Sequence, residues 1–295
     1  MDFVPHGVVP AMVTPFDRND RLAESVLRTL VKRLLGDGVH GVFVLGSQGE
    51  YFALDAEEKK RAVQVVVETV NGAVPVYAGT GATTTREAIQ LTQMAESEGA
   101  NAVSVITPAF ISPNEDELFQ YFREIADSTR LPVLLYSNPG RTGIQISADL
   151  AARLSGIDNI VGIKDSSGDL SLTADYIRKC GPSFRVFAGR DTLILATLLY
   201  GGAGTVAATA NVAARLIVSI YDHYMSGNLD AAREAQSALA PLRAAFSLGT
   251  FPAVVKEALG MTGLDVGPAR KPVGPLSENS RTQLREVLGT LGLLE

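Results

Sequence analysis

Only one of the 295 residues is cysteine, Cys180, and only three are histidine. A single thiol cannot form an intrachain disulfide, which suits a reducing cytoplasm, and a cytoplasmic protein is expected. His6, His40 and His223 lie far apart in the sequence and no ligand cluster accompanies them, so no metal centre is expected. No apolar run is long enough to span a bilayer. The opening stretch MDFVPHGVVPAMVTPF carries three prolines and no basic segment ahead of an apolar one, unlike a signal peptide. Basic excess is also missing: the formal net charge is −6, and Lys and Arg are scattered rather than gathered on a face. Nucleic-acid binding is therefore not expected. An acidic protein can still hold a locally positive pocket, so an anionic small molecule stays open as a substrate.

What is present is an ordinary globular composition, 46% hydrophobic and 20% charged, arranged with regularity. Eight short apolar runs alternate with longer amphipathic stretches: residues 7–14, 41–46, 74–79, 102–107, 132–137, 160–165, 184–189 and 203–208. Most are apolar at consecutive positions, as parallel strands covered on both faces must be. Between the second and third runs, Ala62, Val63, Val66, Val67 and Val70 fall on one helical face. Between the fourth and fifth, Asn114 is a helix cap, and Leu118, Phe119, Phe122, Ile125 and Ala126 form the stripe expected to be buried. Strand starts recur roughly every 20–33 residues, the length of a strand, a helix and two short loops. Eight such units predict an α/β fold, a closed (β/α)8 TIM barrel, over residues 1–225. Helical patterns at 228–247, 251–260 and 277–292 predict a C-terminal helical extension of the same domain over 226–295.

Barrel active sites lie at the C-terminal ends of the strands. The strand ends hold Thr14, Ser47, Gln48, Thr80, Thr107, Tyr136, Ser137, Lys164, Arg190 and Thr205. Of the chain's seven lysines, only Lys164 ends an apolar strand. Burial disfavours the ammonium form, and a neutral amine can attack a ketone to form an imine. The alternative is a structural lysine paired with Asp165 or another carboxylate. Tyr136 could relay the protons that imine chemistry moves, or simply pack its ring in the barrel. In G-S-Q-G-E (46–50) two glycines would let the backbone turn tightly and present N–H groups to a carboxylate. Arg141 and Arg190 could each grip a carboxylate in bidentate fashion. The run Gly201-Gly202-Ala203-Gly204 reads as close backbone packing before it reads as a phosphate cup.

Taken in order, VTPF, GSQGE, VYAGTGA, ITPAF, LLYSNPGRTG, GIKDSSGDL, FAGRD and GGAGTVAATAN resemble the dihydrodipicolinate synthase / N-acetylneuraminate lyase family of pyruvate-dependent class I aldolases. The resemblance covers essentially the whole chain. It implies that Lys164 forms the Schiff base and Tyr136 relays protons. It implies that the backbone around Ser47 and Gln48 holds the 2-oxo acid carboxylate, with the Val206 carbonyl lining the same pocket. It also implies that no cofactor is needed and that the barrels assemble as a homotetramer.

The departures bear on the substrate. Members that make the lysine precursor usually carry two threonines where this chain has Ser47 and Gln48, and a Tyr-Tyr pair where it has Ala109 and Phe110. The second of those tyrosines completes a relay across a subunit contact, which Phe110 lacks the hydroxyl to do; Ser47 can still bond Tyr136, leaving a two-member catalytic relay. Arg141 matches the arginine those synthases use for the aldehyde's carboxylate. The wording GIKDSSGDL and Gln48 are similar to catabolic branches acting on 2-oxo-3-deoxy sugar acids or 4-hydroxy-2-oxoglutarate. Retro-aldol cleavage of such a 2-oxo acid is therefore the leading expectation. The alternatives are 4-hydroxy-tetrahydrodipicolinate (dihydrodipicolinate) synthase, a dehydratase of a 2-oxo-3-deoxy sugar acid, and a non-catalytic 2-oxo acid sensor. Arg141 and Arg190 together are expected to select a substrate with a second, distal carboxylate.

Overall fold

The computed structural model describes residues 4–294; Met1–Phe3, the first positions of the stretch read above for a leader, and Glu295 lie outside the described residues. Eight parallel strands are present: β1 Gly7–Pro10, β2 Val42–Val44, β3 Val76–Gly79, β4 Ala102–Ile106, β5 Val133–Ser137, β6 Ile160–Asp165, β7 Arg185–Ala188 and β8 Gly204–Ala207. They pair in the order β1-β8-β7-β6-β5-β4-β3-β2. A parallel bridge between Ala11 and Phe43, with Met12 N donating to the Phe43 carbonyl at 2.9 Å, joins the two ends. The chain is a (β/α)8 TIM barrel with C-terminal helices.

The strands form because each is buried on both faces, and the two faces are different environments. Val9, Ala11, Phe43, Tyr77, Ala102, Leu134, Phe187, Ala203 and Val206 fill the barrel interior. Alternate residues such as Val8, Val103, Val105, Val133, Leu135 and Ile163 face the helical ring and join the larger core outside it. Each fully buried Val, Leu or Ile contributes about 1.5–3 kcal/mol, so this two-sided packing is what holds short strands in register. The helix Ala56–Val70 opens with a capping box, Asp55 accepting from Glu58 N while Glu58 accepts from Asp55 N. In the helix Glu115–Asp127, Asn114 caps as expected, but Tyr121 is buried where Phe119 was expected. Phe119 lies instead under the Arg153 guanidinium, 4.7 Å from it. The glycine-rich run packs closely: a Cβ at Gly204 would collide with the Gly7 carbonyl, and one at Gly202 with Thr197.

The C-terminal helices Leu229–Ala245, Ala253–Met261 and Glu278–Thr290 follow the last barrel helix, Ala210–Met225. Residues of the first two, with the loop between them, reach over the barrel mouth. Among the described residues no helix is long and apolar enough to cross a membrane.

Candidate active site

Period-two alternation decides which strand-end residues see the mouth. On β6, Lys164 and two residues on Ser166 face inward; on β5, Tyr136 and two residues on Asn138 do the same. The β5–β6 register sets Tyr136 directly beside Lys164. The other strand-end candidates turn away into structural hydrogen bonds. Thr14 donates to the Gly49 carbonyl, Thr80 accepts from Thr92, Thr107 pairs with Thr142, Ser137 accepts from Ile146 N, and Thr205 donates to the Ala188 carbonyl. None of them lines the mouth.

The mouth is a cavity of about 460 Å³ whose wall includes Lys164, Tyr136, Ser47, Gln48, Arg141, Arg190 and Val206. Sequence reasoning thus named seven residues that converge on one space. It missed Asn138, Ser166, Asp191 and Arg243, which share the same wall. The first two carried a signal: each stands two positions beyond a named residue on the same strand line.

Lys164 is 4% exposed and has no ion-pair partner among the described residues. Asp165, the carboxylate that a structural role would use, is engaged elsewhere. It accepts from Thr173 Oγ1 at 2.6 Å and Ser167 N at 2.9 Å. The Lys164 Nζ instead lies 4.1 Å from the centroid of the Tyr136 ring and 5.2 Å from that of Phe43. Burial acts to raise the pKa of the Tyr136 phenol, but the Lys164 charge and hydrogen bonds with Ser47, Asn138 and Ser166 bring it below the ordinary phenol value. Asn138 Nδ2 donates to the phenol oxygen at 2.8 Å. The site therefore couples an amine to a phenol whose anion is stabilised.

The loop 46–50 is built differently from the expectation. The left-handed residues are Leu45, at φ 59°, and Glu50, at φ 54°, not the glycines. Gly46 and Gly49 are required for close approach, since Cβ atoms there would press on the Phe43 ring and the Met12 carbonyl. Left-handed backbone at bulky residues costs about 1–3 kcal/mol each and persists only where its surroundings hold it. Here Glu50 is held by a buried ion pair with Lys256 at 2.5 Å and accepts from Arg270 N at 2.9 Å. Burial pushes the Lys256 pKa down, and the Glu50 charge opposes that shift. Removing one partner of such a pair strands a buried charge, so Lys256→Met is expected to lower the unfolding free energy by about 3–5 kcal/mol. Adding Glu50→Gln to it should recover a large part of that loss. Urea denaturation of the single and double variants checks both.

Gln48 is 7% exposed, and its Oε1 has no hydrogen-bond donor within the described protein. Arg190 is oriented by a bond from its Nε to the Ser166 carbonyl at 3.1 Å. Arg141 lies over Phe251, 4.4 Å from the ring centroid. Phe110 stands outside its own chain's cavity, at φ 74° and 100% exposed.

The sequence model of the Dihydrodipicolinate synthetase family matches residues 4–291. A 4-hydroxy-tetrahydrodipicolinate synthase of Methanothrix thermoacetophila is 42% identical over 96% of this chain and 95% of its own. An uncharacterized DapA-like lyase of Halobacterium salinarum is 39% identical over 98% of this chain and 95% of its own. Among solved structures, a prophage protein of the dihydrodipicolinic acid synthase family from E. coli K12, in complex with pyruvate, superposes with a TM-score of 0.95. It is 34% identical, and the match covers 98% of this chain and 99% of that one.

Proposed function

From the premise that the chain belongs to the dihydrodipicolinate synthetase family and is a lyase of the class I aldolase type, we propose that Lys164 forms an imine with the C2 carbonyl of a pyruvate-type 2-oxo acid. The observation that carries this is a buried lysine with no carboxylate partner among the described residues, set beside a phenol whose pKa the lysine charge and hydrogen bonds hold below the ordinary phenol value, in one cavity. The amine adds to the carbonyl carbon and water leaves, giving an iminium; loss of a proton from C3 gives the enamine. Tyr136, with Ser47, Asn138 and Ser166 around its oxygen, carries the protons in and out. The backbone around Ser47 and Gln48 takes the C1 carboxylate beside Val206, and Arg141 with Arg190 takes a carboxylate farther out.

The enamine has two fates. The relatives called 4-hydroxy-tetrahydrodipicolinate synthase support condensation with an aldehyde that itself bears a carboxylate, so aspartate semialdehyde is the first acceptor to assay. This reading moves ahead of the cleavage expected from the sequence. Two observations still favour retro-aldol cleavage of a hydroxylated 2-oxo acid such as 4-hydroxy-2-oxoglutarate. Phe110 supplies no hydroxyl to a relay, and Gln48 offers a buried acceptor suited to a substrate hydroxyl. A homotetramer belongs to the same proposal, supported by the exposed Phe110 ring, which a second copy would cover.

The test is borohydride reduction with pyruvate, mass spectrometry of the Lys164 peptide, and a product screen with both substrate pairs. Absence of an adduct on that peptide removes the imine. Turnover of aspartate semialdehyde without cleavage of hydroxy-oxo acids selects the synthase, and the reverse selects the lyase.

A further inference from the structure

Four cationic side chains line the cavity, Lys164, Arg141, Arg190 and Arg243, against a single carboxylate, Asp191. Asp191 is 1% exposed and accepts from Thr209 N at 2.9 Å and Thr209 Oγ1 at 2.7 Å, so it is already engaged within the protein. None of the three arginines has an ion-pair partner among the described residues, although sixteen ion pairs occur among them, most involving arginine. Arg243 differs from the others in origin. It stands in the last turn of the helix Leu229–Ala245, partly buried, with its guanidinium 5.3 Å from the Phe246 ring. A helix C-terminus favours a cation there. That alone does not account for three unpaired guanidinium groups lining one cavity, where like charges repel unless an anion joins them.

We propose that Arg243, carried in by the C-terminal helix, completes with Arg190 a distal anion site that selects 2-oxo acids bearing a second carboxylate. The inference rests on Lys164 forming the imine, which fixes one end of the substrate at the barrel mouth, and on the retro-aldol reading, in which that substrate carries both carboxylates. The Arg190 Nε is occupied by the Ser166 carbonyl, leaving the two terminal nitrogens of its fork for a ligand. Arg243 lines the same cavity from a different element, the C-terminal helix, so a carboxylate reaching both arginines gains charge-assisted hydrogen bonds from each. Phe246, Phe251 and Val255 line the same cavity, and apolar neighbours lower the local dielectric and strengthen a charged contact. The C-terminal helix is thereby a determinant of specificity as well as a cover for the barrel.

The test compares wild type, Arg243→Gln and Arg243→Lys in borohydride trapping across concentrations of pyruvate, 2-oxoglutarate and 2-oxoadipate, read as adduct on the Lys164 peptide. Wild type is expected to reach half-saturation with a dicarboxylic acid at a lower concentration than with pyruvate. In Arg243→Gln the dicarboxylic half-saturation rises by about 10- to 100-fold, the loss expected for a charged hydrogen bond, while that for pyruvate is unchanged. Arg243→Lys, which keeps the charge without the fork, falls between. The pyruvate arm shows that each variant retains a folded site. Equal changes for both classes, or no dicarboxylic preference in wild type, overturn the distal site while leaving the imine intact. No adduct with any acid in wild type overturns the imine reading, and the distal site with it.

Discussion

Replacing Lys164 by methionine is expected to reduce turnover by about 10⁴-fold or more, roughly 5.5 kcal/mol of lost transition-state stabilisation, without destabilising the fold. The two halves of this result have one cause. Lys164 is 4% exposed with no ion pair, and the neighbouring carboxylate of Asp165 is bound to Thr173 and Ser167. A structural lysine would leave a stranded charge behind when removed; this one leaves none. Methionine of similar volume can pack between Phe43 and Tyr136, and replacing a buried cation by an apolar side chain is commonly neutral or stabilising. Thermal unfolding should therefore show an unchanged or raised Tm while borohydride trapping is abolished. A variant that loses activity and stability together would return Lys164 to a structural role.

The barrel was legible because its signal is repeated and local. Each of the eight apolar runs contains an observed strand, and the structure trims mainly their ends, where turns and loops take over. The same reasoning placed Lys164 and Tyr136 among the strand-end candidates, from which the family resemblance singled them out. It over-counted where it took strand ends without asking which face they serve. Thr107, just past β4, and Thr205, inside β8, bond to the surrounding structure, since side chains alternate across a strand. The Glu of GSQGE was grouped with a carboxylate-binding loop, yet it anchors that loop through Lys256, some two hundred positions later. Arg243 carried no signal at all: a basic residue near a helix end is unremarkable in sequence, and only tertiary packing brings it to the cavity. Local periodicity thus reports the elements and their inward positions, whereas residues delivered by long-range packing stay hidden until the helices are placed.

The second large effect is expected at Tyr136. Tyr136→Phe keeps the ring that lies 4.1 Å from Lys164 Nζ and removes only the hydroxyl, so packing is preserved and proton transfer is not. Loss of a positioned acid–base group costs about 10²–10⁴-fold. The decrease should appear in kcat more than in KM, because the phenol acts on protons moving in the reaction rather than on the resting substrate. The pH profile separates this role from a steric one. Burial raises the phenol's pKa, while the Lys164 charge and hydrogen bonds with Ser47, Asn138 and Ser166 more than offset it, so the net direction is downward. Asn138 Nδ2 donates to the phenol oxygen and so favours the phenolate; Asn138→Ala withdraws that stabilisation. The ionisation belonging to Tyr136 in the kcat profile should consequently move to higher pH in Asn138→Ala and disappear in Tyr136→Phe. A profile that keeps its shape in both variants, with activity lowered uniformly, would mean that the ring rather than the hydroxyl matters, and the protons released at C3 would have to travel by another path.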